Sequence, residues 1–152
     1  MKNFLQTYFS SSDLDRIAKT IAELERYTSG EIRVSVVRRR RWSERSLPLE
    51  ELAHRDFQRL GMDKTKDATG ILLFLLLGER KFRIVADRGI NDRVPQETWD
   101  EIGGVLVTHF KNGHYLGGVL EALRRIGGVL QRHFPRQADD ADELPNSVDI
   151  RP

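Results

Sequence analysis

Three short stretches of this sequence carry oxygen ligands. Glu31 follows Gly30, Asp67 stands in Asp67-Ala68-Thr69-Gly70, and Asp87, Asn91 and Asp92 fall within residues 87–92. Carboxylates and an amide oxygen, with loop carbonyls beside them, suit a hard divalent cation such as calcium or magnesium. Their spacing does not match an EF-hand loop, and turns use the same residue types. A second group is basic. Arg38-Arg39-Arg40-Arg41-Trp42, joined by Arg80 and Lys81, could hold phosphates, with the indole as a stacking surface. Adjacent Asp87 and Arg88 could supply a nucleophile and a phosphate clamp, although such a pair is common. His54, His109, His114 and His133 lack a histidine four residues away on the same helix, so helical zinc binding is unsupported. There is no cysteine, which excludes disulfides, thiolate nucleophiles, Cys-ligated zinc and iron–sulfur clusters. No Gly-x-Ser-x-Gly elbow, Walker loop or Arg-His-Gly phosphatase motif is present.

The elements that must position these groups follow from periodicity. Phe4 to Phe9 is a short apolar arm, helical or extended. Ser10-Ser11-Ser12 offers an N-cap, and Leu14, Ile17, Ala18, Ile21 and Leu24 recur at helical spacing up to Ser29-Gly30. Ile32, Val34 and Val36 alternate with Arg33 and Ser35, which predicts a strand. Pro48 opens a second helix that runs to a Gly61 stop. Ile71 to Leu77 is apolar at every position and reads as a central strand buried on both faces. Gly78 to Lys81 turns it into a hairpin partner, Phe82 to Ala86. Asp87 to Val94 is a turn-rich loop. Helices then follow from Pro95 through Phe110 and from about Tyr115 to Phe134, where Pro135 ends the pattern. Gly-Gly pairs at 103–104, 117–118 and 127–128 lie inside those helices, and close packing against the sheet is the expected compensation.

Connection rules supply the geometry. Strands 32–37 and 71–77 are joined by a helix and should be parallel; strand 82–86 should be antiparallel to its neighbour. The predicted fold is an α/β three-layer sandwich, with a small mixed sheet of three to four strands and helices on both faces. One end of the sheet then gathers Glu31, Asp67 and Asp87 to Asp92, and the other gathers Arg38 to Arg41, Arg80 and Lys81.

The chain has 152 residues, 39% hydrophobic and 32% charged, which fits one domain at residues 1–135 with an acidic tail at 136–152. Its net charge of +2 argues only weakly for nucleic acid. The longest apolar run is too short to cross a bilayer and the first residues lack a signal pattern, so the expectation is a soluble, cytoplasmic protein without its own anchor. The tail is expected to dock through Leu144 while its acids, Asp139, Asp140, Asp142 and Glu143, meet arginines.

Thr28-Ser29-Gly30-Glu31-Ile32-Arg33-Val34 resembles the T-x-G-E-I-x-V signature of the TPM domain family, which joins thylakoid lumen, photosystem II repair and acetylcholine-receptor modulating proteins. Gly70-Ile71-Leu72-Leu73-Phe74, Asp87-Arg88-Gly89-Ile90-Asn91 and Phe110-Lys111-Asn112-Gly113-His114-Tyr115 fit the same family in order. Asp140-Ala141-Asp142-Glu143-Leu144-Pro145 resembles a bacterial subgroup often encoded beside LemA-type membrane proteins. The resemblance implies an α/β sandwich, divalent-cation binding and, for one plant member, acid phosphatase activity. Where many members carry Asn-Asn-Gly before the central strand, this chain has Ala68-Thr69-Gly70. The expected function is a non-catalytic module that binds a partner protein, with a LemA-type membrane protein as the implied partner, and a divalent cation at Glu31, Asp67, Asp87, Asn91 and Asp92. A metal-assisted acid phosphatase is the alternative, and polyanion or nucleic-acid binding through Arg38 to Arg41 is a third reading.

Overall fold

The computed structural model describes residues 4–138 and 143–151; Asp139, Asp140 and Asp142 lie outside them. Its centre is β2 (Gly70–Leu76), with all seven residues buried. Ile71, Leu73 and Leu75 enter one core and Leu72, Phe74 and Leu76 a second on the opposite face. An unbroken apolar run is what a strand covered on both faces requires. β1 (Glu31–Val37) pairs with β2 in parallel from Glu31↔Gly70 to Val37↔Leu76. β3 (Lys81–Ala86) is antiparallel to β2. The sheet order is β3-β2-β1-β4, with β4 at Asp149–Arg151 parallel to β1.

Helices complete three layers. α1 (Ser11–Glu25) starts at a reciprocal cap: Ser10 Oγ accepts from the Asp13 N–H at 3.0 Å, and the Ser10 N–H donates to Asp13 Oδ2 at 2.9 Å. α2 (Leu49–Arg59) follows Pro48 and places Leu52, Ala53 and Phe57 against the second core. A short α3 (Arg88–Asn91) occupies the stretch expected to be loop, because Asp87 caps it by accepting from the Arg88 N–H at 2.8 Å. α4 (Gln96–Lys111) and α5 (Tyr115–His133) join α1 over the main core, around Trp99, Leu106, Leu123 and Ile126. Gly127 and Gly118 serve contacts between helices, not against the sheet. A Cβ at Gly127 would stand 2.7 Å from Leu24 Cδ2 of α1, and one at Gly118 would stand 2.7 Å from His109 Cβ of α4. The apolar arm is a tight turn at Leu5–Thr7, with Phe4 and Tyr8 packed on the main core.

The α2-facing side of β1 is mostly polar yet buried: Glu31, Arg33 and Ser35 point there beside Val37. Each polar side chain has a partner. The Glu143 N–H donates to Glu31 Oε1 at 2.6 Å, and Arg33 Nη2 donates to Ser147 O at 3.5 Å. Ser35 Oγ donates to Asp56 Oδ2 of α2. Arg59 Nε meets Asp56 Oδ1 at 2.9 Å and Arg59 Nη2 meets Asp149 Oδ2 at 2.6 Å, linking α2 to β4. Leu144 is half-buried on the second core. The segment after Pro135 thus returns over β1 and adds a strand, beyond the Leu144 contact expected of it.

Candidate functional site

Both ends of the sheet are assembled as the connection rules imply. At the acidic end, β1 and β2 begin at Glu31 and Gly70, and β3 finishes at Ala86. The Asp87 N–H donates to Gly70 O at 2.9 Å and the Gly89 N–H to Ala68 O at 3.0 Å. A Cβ at Gly89 would lie 2.5 Å from both Asp67 O and Ala68 O, so only glycine lets the 87–92 turn rest on this loop. Ala68 takes φ +55° to present that carbonyl.

Between the two loops lies a depression of about 470 Å³ lined by Asp63, Asp67, Asp87 and Asp92, with Lys66 and Arg88 on its wall. Three of the five residues expected as cation ligands therefore share it. Glu31 does not line it; it is 3% exposed and receives the Glu143 N–H. Asn91 does not line it either, and its Nδ2 donates to Ala86 O at 2.8 Å, tying down the end of β3. The Glu143 carboxylate accepts from the Lys66 N–H at 3.0 Å, so the tail fastens the same loop. Asp63 was missed from sequence; its signal is its place in the α2–β2 connection, beside buried Met62. Among the described residues no three carboxylate or imidazole side chains converge closely enough to hold a metal. The aspartates that line the depression are oxygen donors, the ligand type that hard cations prefer.

The basic end is spent largely on itself. Arg40, its side chain 15% exposed, meets Glu79 Oε2 at 2.6 Å and donates to the carbonyls of Glu44 and Leu47. Lys81 Nζ is 3.6 Å from Glu79, and the Arg38 guanidinium lies 4.8 Å over the Phe4 ring. The Arg41 N–H donates to Glu44 Oε1 at 2.9 Å, and Arg151 lies 3.4 Å from the same carboxylate. Trp42 is 79% exposed, but Arg45 covers one ring face at 3.6 Å. Arg39 and Arg80 are exposed and make no ion pair among the described residues.

The hydrogen bond from Arg40 holds the Glu79 carboxyl below the usual glutamate range. A lowered folded-state pKa gives stability that is present above the unfolded value and lost as pH falls through the folded one. Glu79→Gln should therefore melt lower than the parent chain near pH 7. The two melting temperatures should converge as pH drops from about 5 toward 2, which circular-dichroism melts across that range will check.

The signature residues around Glu31 act on the fold. The Thr28 hydroxyl donates to Phe134 O at 2.5 Å and accepts from the Gly30 N–H at 3.0 Å, clasping the end of α5. Glu25 Oε2 accepts from the Ile32 N–H at 2.8 Å, joining the end of α1 to β1.

Solved structures share this fold. The BA42 protein of the psychrophilic bacterium Bizionia argentinensis is 30% identical, with a TM-score of 0.85 over 99% of this chain and 97% of its own. The N-terminal domain of a P. gingivalis protein, at 21% identity, gives a TM-score of 0.68 over 84% of this chain and 79% of that one. The N-terminal domain of the cg2496 protein of Corynebacterium glutamicum, at 16% identity, gives 0.60 over 80% and 74%. The last two likenesses show the fold alone. No curated protein matches the chain. The TPM domain profile matches residues 4–129, most of the sequence. With the signature in register on β1 and the same sandwich in BA42, the chain belongs to the TPM domain family.

Proposed function

We propose that the chain is a non-catalytic binding module that engages a partner protein and holds a divalent cation, calcium or magnesium, at the acidic end of its sheet. The observation that carries the cation is the depression between the 62–69 loop and the 87–92 turn, where four aspartates face two basic side chains. Few side-chain ligands imply weak binding, on the order of millimolar, with carbonyls and water supplying the remaining oxygens. The partner is a membrane protein of the LemA type, as the tail resemblance implies. Among the described residues no helix is long and apolar enough to cross a membrane, so attachment at the inner face would run through that partner.

Calcium titration followed by amide chemical shifts tests the cation. Shifts should concentrate at residues 62–69 and 87–92, with residues 38–41 silent, and Asp67→Asn with Asp87→Asn should remove them. Silence throughout the chain up to millimolar calcium would leave only the partner-binding part of this reading.

Arg88, on the wall beside Asp87, favours a second reading as a metal-assisted acid phosphatase. Phosphate-ester hydrolysis above background that calcium, magnesium or manganese supports and Asp87→Asn abolishes would establish it over the first.

A further inference from the structure

β3 is one edge of the sheet, opposite β4. The Asp87 N–H···O Gly70 bond continues the β2–β3 register by one hydrogen-bonded pair. In an antiparallel ladder such pairs alternate, so Lys81, Arg83 and Val85 turn their main-chain groups toward β2, while Phe82, Ile84 and Ala86 turn theirs outward. Asn91 occupies the Ala86 carbonyl. Among the described residues nothing pairs with the N–H and C=O of Phe82 and Ile84.

A trough of about 400 Å³ follows this edge, with Leu49 of α2 on one wall and Trp99, Gly103 and Val107 of α4 on the other. It is roomy on the α4 side, where a Cβ at Gly103 or Gly104 would meet nothing within 4 Å. Trp99 is 1% exposed, and its Nε1 lacks an acceptor among the described residues. A buried indole N–H normally has one. Arg80, Lys81 and Arg83 line the same trough with one carboxylate, Asp100; Arg83 lies 3.4 Å from Glu50 and Lys81 3.6 Å from Glu79 in partly exposed pairs, and Arg80 makes no ion pair among the described residues.

We propose that the partner protein docks here by laying an extended, acidic segment beside β3 as an added strand. The proposal rests on the binding-module reading and names its partner surface. Main-chain bonds to Phe82 and Ile84 supply affinity, and the basic rim selects acidic side chains. A second copy of this chain is a poor occupant. Pairing β3 with itself would bring the Lys81 and Arg83 cations of one copy close to those of the other, and like charges across an edge deter such pairing.

A short end-capped peptide alternating glutamate and valine is the probe, with a lysine–valine peptide as control. The acidic peptide should shift amides at 82–86 and 99–107 and slow hydrogen exchange at Phe82 and Ile84 by about tenfold or more. In a Trp42→Phe background, where Trp99 is the only tryptophan, it should also change the fluorescence. Arg80→Glu combined with Lys81→Glu should weaken binding by about tenfold without changing the melting temperature appreciably. The proposal is overturned if millimolar acidic peptide leaves 82–86 unmoved, if the lysine peptide binds equally, or if those amides shift with protein concentration instead. Because these signals lie outside 62–69 and 87–92, failure here and failure of the calcium titration are told apart.

Discussion

Truncation after Pro135 is expected to lower the melting temperature by about 6–12 °C, corresponding to roughly 3 kcal/mol for a chain of this size. The loss has several sources. β4 leaves β1, the Glu143 and Ser147 contacts to Glu31 and Arg33 disappear, and Arg59 loses Asp149. Hydrogen bonds to charged groups contribute about 1.5–3 kcal/mol each before the cost of ordering the segment is counted. Leu144→Ala alone should cost about 1 kcal/mol, because the side chain is only half-buried and the strand remains. Paired melts of the two variants check both values. A truncated chain melting within about 2 °C of the parent would show that the segment contributes little, and a Leu144→Ala loss equal to truncation would assign the docking to that one contact.

Thr28→Val should cost about 2 kcal/mol, read as a lower denaturant midpoint at unchanged slope. Valine keeps the shape and removes the oxygen. Phe134 O still accepts from the Ser29 N–H at 2.9 Å, and Leu130 O still accepts from the Phe134 N–H at 2.7 Å. Those carbonyls stay satisfied. The Gly30 N–H, which donates to the Thr28 hydroxyl, is left buried without it, and that orphaned donor is the main cost. Thr28→Ser keeps the oxygen and should restore most of the loss. A valine variant as stable as the parent, with the serine variant destabilised, would instead assign the role of Thr28 to its methyl group and packing.

What could be read in advance was whatever has a period or a strict local rule. The apolar run 71–77, the alternation at 32–36 and the three-and-four spacing of Leu14 to Leu24 gave β2, β1 and α1 within a residue or two at most ends. The crossover rule then placed the acidic and basic ends correctly. β4 is three residues with one apolar side chain, and its pairing with β1 spans more than a hundred residues, so no local pattern announces it. α3 is a single turn set by one aspartate cap. At the acidic end, type and position brought Asp67, Asp87 and Asp92 together, but Glu31 and Asn91 turn to main-chain partners. Arg40 likewise reads as a surface charge until the Glu44 and Leu47 carbonyls are folded around it.

The polar side of β1 bears on aggregation. When β4 lets go, β1 becomes an edge with unpaired main-chain groups, the usual template on which chains stack into insoluble sheets. Along its α2-facing side stand Glu31, Arg33 and Ser35, which favour water over another strand, with Val37 the one apolar residue on that side. Inward-pointing charges of this kind are among the ways natural sheets keep a bare edge from sticking. A molecule with its last segment detached would thus lose stability and stay dispersed, giving a soluble opened form where an apolar face would have given a precipitate.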